Sequence, residues 1–525
     1  MEKHKIALFP LLLGLGLLIY SWFSSYPLSI NFSGDVVFNH ISPFYWVGLP
    51  LTLASLFLIG AFSRNHNLKC LMCVIAVLVI FSLSYFYFSL PTSDSQYFRG
   101  LNEYFIKTKS LDPSQYNHSY FQWPAFFLIS DIVTSVSGLS LINVEFLLYA
   151  VIGSLLGIAL YVYASKQHRK GGFLAVLAFF ISMFYFINYQ WAPFTLALGL
   201  LFVLFMLETQ EKSSSMIITV IILFFTISIA HTFVALFFII YFLAQTLVRR
   251  TKQYTTLFFL TAVTYLLVQF TIGGYWIEFN IQKIFQLPSE YSATASYTFN
   301  PISVPIDSIA QTVSRTVTIA VVLICLLGFL FMLIKRKLRA IDISIFLTGV
   351  AYSALGFFLF LLGNRAISIL FIPLSLGAAY LFGTRLRPYL KGLFLIILIL
   401  FVFLPIHTSC NSYIGSFVPF QTKDEYITAH FLLNNYDWTT DSVILAHAPI
   451  EVYLLSSVDV TKIGVTFETE FWSHFPTLAS YDCILFSVGL VNSFLVHNYT
   501  TEEVISQGQL NVVYDNGFSK LAVKS

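Results

Sequence analysis

The stretch Gly392-Leu-Phe-Leu-Ile-Ile-Leu-Ile-Leu-Phe-Val-Phe-Leu-Pro-Ile406 contains no charged residue, and it lies in one of thirteen apolar segments of this 525-residue chain. A bilayer hydrocarbon core of about 30 Å requires roughly 20 apolar residues per helix. Hydrophobic residues make up 57% of the chain and charged residues only 10%, which is typical of a polytopic membrane protein and excludes most soluble enzyme classes. Membrane-spanning helices are predicted at 6–23, 44–62, 70–90, 142–164, 172–187, 191–207, 216–230, 232–248, 255–272, 314–334, 341–362, 366–383 and 390–406.

Positively charged residues mark alternate loops between these segments. Because short loops rich in lysine and arginine stay on the cytoplasmic side, the pattern predicts a cytoplasmic amino terminus and an extracytoplasmic block at 407–525. The predicted inner loops carry Lys3, Lys5, Arg64, Lys69, Lys166, Arg169, Lys170, Lys212, Arg249, Arg250, Lys252, Lys335, Arg336, Lys337, Arg339, Arg385, Arg387 and Lys391. The predicted location is a cell membrane, and the net charge of +3 gives no indication of a nucleic-acid partner.

The predicted organisation is an α-helical polytopic membrane domain at 1–406, with long outer loops at 91–141 and 273–311, followed by a small extracytoplasmic α/β domain at 407–525. In the tail, the patterns predict helices over 424–433 and 449–455, strands at 442–446 and 482–488, and a β-hairpin over 511–523 with its turn at Asn516-Gly517. Cys410 and Cys483 both fall on the outer side, where a disulfide is permitted, although the sequence does not give their separation.

The first outer loop contains an amphipathic segment directly after the third predicted span. Apolar side chains recur there at helical spacing, so we expect a helix that lies in the membrane interface with its apolar face down; these residues are Tyr97, Phe98, Leu101, Tyr104 and Phe105. Asp94 is at the start of this helix, at the mouth of the span. It either caps the helix or acts as a general base that takes a proton from an acceptor hydroxyl, and the residues alone favour neither role.

Polar and aromatic residues then lead into the apolar run 125–141. Tyr97, Tyr116, His118 and Trp123 are candidates for substrate contact because flat rings stack on sugar faces, although such residues at a membrane boundary are more often members of the aromatic belt. The run 125–141 includes one aspartate and one glycine, and a span here would invert the charge pattern of every later loop. It is therefore predicted to be a second interfacial or re-entrant helix covered by protein.

This order of features resembles the GT-C superfamily of integral-membrane glycosyltransferases, which use polyprenyl-phosphate-linked sugars. The shared features are an acidic residue in an outer loop after a span, an amphipathic helix, a Tyr-x-x-x-x-x-x-Trp-Pro stretch at 116–124, paired interfacial helices, many spans and an outward carboxy-terminal domain. The resemblance covers the architecture of residues 70–410, and two spans before the loop are additional to the simplest family layout. The resemblance implies that Asp94 is the catalytic carboxylate.

Departures from the family patterns bear on metal use. Many members have Asp-Glu at the catalytic position, where this chain has Asp94-Ser95, and the Trp-Trp-Asp motif of oligosaccharyltransferases is absent. The outer turn 188–193 also lacks the acidic residues with which those enzymes hold a divalent ion in a later outer loop. Because a divalent cation needs several oxygen ligands, we predict no cofactor and no metal site; a divalent ion held with help from Glu278 and Asp307 is the alternative.

A polyprenyl-phosphate leaving group needs a nearby cation, because negative charge develops on the phosphate as the glycosidic bond breaks. The first candidate is Arg365, at the outer mouth between two spans, where an arginine can bind phosphate in a bidentate manner or simply extend to the lipid headgroups. Arg99 and Arg315 are weaker candidates near the same surface. His231, between two spans at the outer side, is a candidate for substrate contact, although a satisfied turn histidine is the commoner role.

The predicted activity is inverting, metal-independent transfer of a hexosyl or pentosyl residue from a polyprenyl-phosphate-linked donor to an acceptor hydroxyl, at the outer or lumenal face. The acceptor is a lipid-linked glycan, a lipid or a protein, and membrane lipids are further partners. A transporter or flippase of lipid-linked glycans is the alternative from another class; transporters concentrate charges inside spans, whereas polar residues here gather at the outer surface. A polymerase or ligase of surface polysaccharide is a third alternative.

Overall fold

The computed structural model describes residues 7–27, 37–63, 65–87, 90, 93–111, 120–166, 168, 171–186, 191–208, 214–272, 308–359, 363–383, 388–410, 427–428, 431, 442–446, 463–466, 483–486, 510–515 and 520–524. This part is mostly helical. The α-helices are α1 (Leu8–Ser25), α2 (Val37–His40), α3 (Pro43–Phe62), α4 (His66–Ile80), α5 (Ser93–Thr108), α6 (Ala125–Ser137), α7 (Leu141–Ser165), α8 (Gly172–Phe186), α9 (Pro193–Glu208), α10 (Ser214–Ala230), α11 (Thr232–Arg249), α12 (Lys252–Thr271), α13 (Ser308–Ile334), α14 (Ala340–Leu359), α15 (Gly363–Gly383) and α16 (Pro388–Cys410).

Each predicted span overlaps one of these helices. Six of the described helices are long and apolar enough to cross a membrane, namely α1, α3, α7, α11, α12 and α13. Shorter apolar helices include α4, α8, α9 and α10. The chain is therefore a multi-pass membrane protein, and the total of thirteen spans stays a prediction.

The third span differs most from its prediction, because α4 ends at Ile80 and not at residue 90. Its start is fixed by Asn65, whose side-chain oxygen accepts hydrogen bonds from two backbone N–H groups of the first turn, at 2.9 and 3.3 Å. At the other end, the chain tightens into a 3₁₀ helix over Ser82–Phe86. The Ser82 hydroxyl donates to a backbone carbonyl of the last α-helical turn at 2.7 Å. Serine hydroxyls that bond to the backbone compete with a continuing helix.

The run 125–141 is divided between α6 and the start of α7, as expected for a segment that does not span. Gly138 ends α6 in a left-handed conformation, with φ of +67°, and its N–H donates to the Thr134 carbonyl at 3.0 Å. Ser140 then caps α7 by accepting the Asn143 N–H at 3.4 Å. The 13 residues of α6 extend about 20 Å, which is short of a hydrocarbon core of about 30 Å.

Glycines allow two pairs of helices to pack closely. A Cβ atom at Gly328 of α13 or at Gly377 of α15 would overlap the backbone of the other helix. In the same way, a Cβ atom at Gly14 of α1 or at Gly48 of α3 would overlap the other of these two helices. Small residues at such crossings let helix backbones approach in a bilayer, where dispersion forces replace the hydrophobic effect as the main attraction between helices.

A buried polar network joins the end of α7 to the start of α14. The Tyr163 hydroxyl donates to Asp342 Oδ1 at 2.6 Å, while Arg339 donates its backbone N–H to Oδ2 at 2.8 Å and its Nη2 to Oδ1 at 3.0 Å. Asp342 is fully buried. Burial lowers the pKa of Arg339, but hydrogen bonding and attraction to Asp342 outweigh it and raise that pKa above its ordinary value. We call these three residues the Asp342 network.

The described part of the tail is a five-stranded sheet of β1 (Ser442–Ala446), β2 (Ile463–Thr466), β3 (Cys483–Phe486), β4 (Leu510–Asp515) and β5 (Lys520–Lys524), in the order β2-β1-β3-β5-β4. β1 is parallel to β2 and β3, and β5 is antiparallel to β3 and β4. The predictions of β1, β3 and the hairpin are confirmed, and β2 was missed. Several predictions for the tail fall outside the described residues. They are the helix over 449–455, most of the helix over 424–433, the hairpin turn, and the side chains of Cys410 and Cys483.

Candidate active site

The predicted helix after the third span is observed as α5, and Asp94 is its second residue. The Asp94 side chain lies outside the described residues. Phe98, Leu101 and Phe105 are buried, in agreement with the predicted apolar face. The adjacent face of α5 carries polar residues that are also fully buried, which the sequence did not predict: Ser95, Arg99 and Asn102. α5 is therefore covered by protein on both of these faces, while Lys107 near its end is exposed; its position in the membrane interface stays a prediction.

A buried ion pair fixes α5 to α7. Arg99 donates Nε and Nη2 to Oε2 of Glu145, at 2.8 and 2.7 Å, and the two side chains are 0% and 1% exposed. Charges removed from water are tolerated only when they are paired with good geometry. Arg99, predicted as a phosphate ligand, is thus engaged with a carboxylate. The sequence interpretation missed Glu145, although an acidic residue within a predicted span is itself a signal of function.

Three buried polar atoms at this ion pair have no hydrogen-bond partner among the described residues. Among the described residues, neither the nitrogen nor the oxygen of the Asn102 amide has a partner, and neither has Oε1 of Glu145. Asn102 lies one helical turn from Arg99 on α5. Since nearly all buried polar groups in folded proteins are hydrogen-bonded, such groups indicate a place for water or for a polar ligand. We call Arg99, Asn102 and Glu145 the Glu145 network.

Aromatic side chains form a continuous layer from α5 to the start of α9. Tyr120 contacts Tyr97 and Trp123, with ring centroids 6.0 and 5.8 Å apart. Farther along, Phe126 of α6 packs on Trp191 at 4.8 Å. The structure thus brings together the predicted residues Tyr97 and Trp123 through Tyr120, which the prediction did not include. Tyr116 and His118 lie outside the described residues.

His231 lies between α10 and α11 in extended conformation and is buried. Its ring packs against Phe194, near the start of α9, at 5.5 Å and against Phe233 at 5.9 Å. Because α6 contacts α9 and α10 as well as α5 and α7, His231 belongs to the same end of the helix bundle as the aromatic layer. This arrangement agrees with a common site but does not identify a ligand of the imidazole.

The remaining predicted cation positions are described only by their backbones. Arg315 lies in α13 and Arg365 is the third residue of α15, and their side chains are outside the described residues, as are Glu278 and Asp307. Among the residues that the structure describes, no three His, Cys, Asp or Glu side chains form a group that could hold a metal ion. Metal-independent chemistry stays a prediction.

The chain is similar to two crystal structures of ArnT from Cupriavidus metallidurans. The structure bound to undecaprenyl phosphate has 10% identity and a TM-score of 0.47, and the match covers 87% of this chain and 98% of that one. The structure in the apo state has 11% identity and a TM-score of 0.49, with coverages of 86% and 97%. No protein-family model and no curated protein matches the chain. At this level the similarity assigns neither an activity nor a family to this chain.

Proposed function

We propose that the chain is an inverting membrane glycosyltransferase that moves one sugar from a polyprenyl-phosphate-linked donor to an acceptor hydroxyl. The observation that carries the proposal is the position of Asp94 in the first turn of α5, a helix that is fixed one turn later by the buried Arg99–Glu145 pair. A carboxylate on a fixed helix keeps a constant position relative to a bound substrate. As general base, Asp94 takes the acceptor proton while the acceptor oxygen attacks the anomeric carbon.

The leaving group in this reaction is a polyprenyl phosphate. Arg365 and Arg315 are the proposed phosphate ligands, because a guanidinium offers a planar pair of donors that match a phosphate and never loses its charge. Arg99 is less suited to this role, since its Nε and Nη2 already donate to Glu145. We propose that the reaction needs no metal, with the charge on the phosphate compensated by arginine alone.

The aromatic layer is the proposed sugar-binding surface. Tyr97 and Tyr120 are half-buried, and their rings can stack on the apolar face of a pyranose while their hydroxyls reach its hydroxyls. Trp123 is buried and supports the ring of Tyr120. His231 is a further candidate beside this layer, and the sequence candidates Tyr116 and His118 precede it in the chain. The identity of the sugar, hexose or pentose, depends on these contacts.

A transfer assay with defined substrates tests the proposal. The purified protein in nanodiscs is incubated with polyprenyl-phospho-sugars labelled in the sugar and with an extract of membrane lipids. We expect label to move to an acceptor with inverted anomeric configuration and free polyprenyl phosphate to appear in equal amount, with or without a chelator. Movement of intact donor across the bilayer without bond cleavage would instead favour a flippase, and chelator-sensitive transfer would favour the divalent-ion alternative.

We also propose that the amino terminus is cytoplasmic and that the tail is extracytoplasmic, because the basic residues segregate to alternate loops. The exposed residue Lys335, in the loop after α13, offers a position for a test. In a background without native cysteines, Lys335→Cys should be protected from a membrane-impermeant thiol reagent in intact cells, and Ser525→Cys should be labelled. The opposite labelling pattern would invert the assignment.

A further inference from the structure

An apolar groove of about 530 Å³ lies between α1, α3, α4 and α7. This volume is in the range of ligand-binding pockets in proteins, about 300–1,000 Å³. Its apolar walls come from the second half of α1, the last turns of α4 and the first turns of α7, and they include Leu15, Ile19, Ile75, Leu78, Phe146 and Ala150. Ile19 is 55% exposed, which places one wall at the outer surface of the helix bundle.

Polar groups collect at one end of the groove. Tyr26, just after α1, and Asn143, at the start of α7, line this end together with Tyr45 and Ser82, whose hydroxyls are hydrogen-bonded to each other at 2.9 Å. No charged side chain occurs among the described residues that line the groove. The groove therefore matches an amphiphile with a long hydrocarbon part and a polar, uncharged end.

The groove shares helix α7 with the candidate active site. Phe146 lines the groove and directly follows Glu145 in the chain. The ring centroids of Phe146 and Tyr85 are 5.9 Å apart, and those of Tyr85 and the core residue Tyr149 are 6.0 Å apart. Because α1 and α4 end and α3 and α7 begin at this level, the polar end of the groove is at the same end of the bundle as α5. The resemblance to the GT-C superfamily implies that two of the spans before α5 are additional to its simplest layout.

We propose that this groove holds the hydrocarbon tail of a lipid acceptor and presents its neutral, hydroxyl-bearing end toward α5. The inference rests on the proposed function, because the occupant is defined as the acceptor of the sugar. The phosphate-linked donor is a poorer occupant, since a phosphate at the polar end would meet only neutral groups among the described lining residues and would lose its hydration without gaining a cation. A neutral hydroxyl can exchange its water contacts for Tyr26 and Asn143.

Photolabelling with hexadecanol that carries a diazirine in its chain tests the site in the full-length protein in nanodiscs. We expect labelled peptides to contain the groove residues of α4 and α7 and labelling to fall several-fold in Ala150→Phe, which fills the groove. Val151→Phe, on the next position of α7 and 43% exposed, is the matched control and should label as the wild type does. Ile75→Phe fills the groove from the opposite wall and serves if Ala150→Phe fails to fold. Two results would contradict a specific site: labelling that does not decrease in Ala150→Phe or in Ile75→Phe, and labelling of exposed residues such as Leu147 that equals labelling of the groove. Either result would show that the probe only contacts the protein from the bilayer.

Competition and kinetics distinguish the acceptor from the donor. Unlabelled hexadecanol should displace the probe, and polyprenyl phosphate should not; displacement by polyprenyl phosphate would overturn the acceptor assignment. In the transfer assay, Ala150→Phe should raise KM for a lipid acceptor several-fold and leave KM for the donor unchanged. If sugar transfer is the same in the wild type and in both groove-filling variants, the groove does not bind the acceptor, and the proposed function is unaffected. Groove labelling without any transfer by the wild-type protein would overturn the proposed function and the acceptor role, and leave a lipid-binding site.

Discussion

The two ends of α7 carry buried polar networks of different quality. In the Asp342 network, both carboxylate oxygens accept hydrogen bonds, from the Tyr163 hydroxyl and from three nitrogens of Arg339. In the Glu145 network, by contrast, one carboxylate oxygen and a whole side-chain amide have no partner among the described residues. A saturated network stabilises a fold, whereas buried groups left without partners indicate water or a ligand. From this comparison we expect a stabilising role at the end near Tyr163 and the proposed reaction at the end near α5.

The largest effect is expected at Asp94, next to the incomplete network. Asp94→Asn keeps the size of the side chain at the second position of α5, where loss of the charge costs only about 0.3–1 kcal/mol through the helix dipole, but it removes the base. We expect normal amounts of protein in the membrane and a transfer rate that is lower on the order of 10²–10⁴-fold. The measurement is kcat at saturating donor and acceptor.

Asp131→Asn is the matched control for this variant. Asp131 lies on the adjacent helix α6 and accepts two hydrogen bonds from Lys109 Nζ, at 2.8 and 2.9 Å, in a pair whose lysine is 58% exposed. Such surface pairs contribute at most about 1 kcal/mol, so the transfer rate should not change. Equal losses in the two variants would indicate a general charge effect at this end of the bundle. Full activity of a correctly inserted Asp94→Asn protein would show that Asp94 is not the base and only stabilises the first turn of α5.

The second prediction concerns the buried ion pair of the Glu145 network. Glu145→Ala removes the carboxylate that accepts from Nε and Nη2 of the buried Arg99, which should lower the free energy of unfolding by about 3–5 kcal/mol. Replacing both residues by methionine, which has a similar volume to each, should restore most of this loss because no charge remains. Tryptophan fluorescence during denaturation in nanodiscs measures both variants. An unchanged unfolding midpoint for Glu145→Ala would contradict the assignment of a buried pair.

The sequence predicted α5 well but not its surroundings. The spacing of Tyr97, Phe98 and Leu101 is local information, and it was enough to predict the helix. Apolar runs predicted most ends of the other helices to within a few residues. The burial of the polar face of α5 depends on Glu145, which is 46 residues from Arg99, and no local pattern encodes that contact. The strand β2 was missed for a similar reason: its four residues include a glycine, and among the described strands they are paired only with β1, a remote segment.

The third prediction concerns the saturated network. Asp342→Ala removes the acceptor of the buried Tyr163 hydroxyl, and an unsatisfied buried group costs about 1–3 kcal/mol. The loss should be smaller than at Glu145, because Arg339 is 30% exposed and can turn to water. The transfer rate per folded molecule should stay unchanged. Tyr163→Phe, which deletes only the hydroxyl, is the control and should cost about 0.5–1.5 kcal/mol. A folded Asp342→Ala protein with a lower transfer rate would contradict the proposal that the Asp342 network serves stability and not the reaction.

The smallest effect is expected at His168, in the loop that follows α7, beside the Asp342 network. Burial lowers the pKa of its imidazole below the ordinary value of 6.5, with a raising influence of Asp342 and a lowering one of Arg339. The unfolded chain therefore binds the proton at a higher pH than the folded chain does. Stability should be complete above pH 6.5 and decrease as the pH falls through the folded pKa. The decrease should be small because the imidazole is only partly buried.

His168→Gln provides the matched test of this pH dependence. The ring packs on Tyr380 with centroids 5.2 Å apart, and its Nε2 has no hydrogen-bond partner among the described residues. A neutral amide of lower volume fits this position and does not titrate, so the variant should have a flatter dependence of Tm on pH between about pH 7.5 and 5, the range in which histidine changes charge. The transfer rate at neutral pH should not change, since His168 lies at the end of α7 away from Glu145. An identical pH dependence in the two proteins would show that acid acts elsewhere in the molecule.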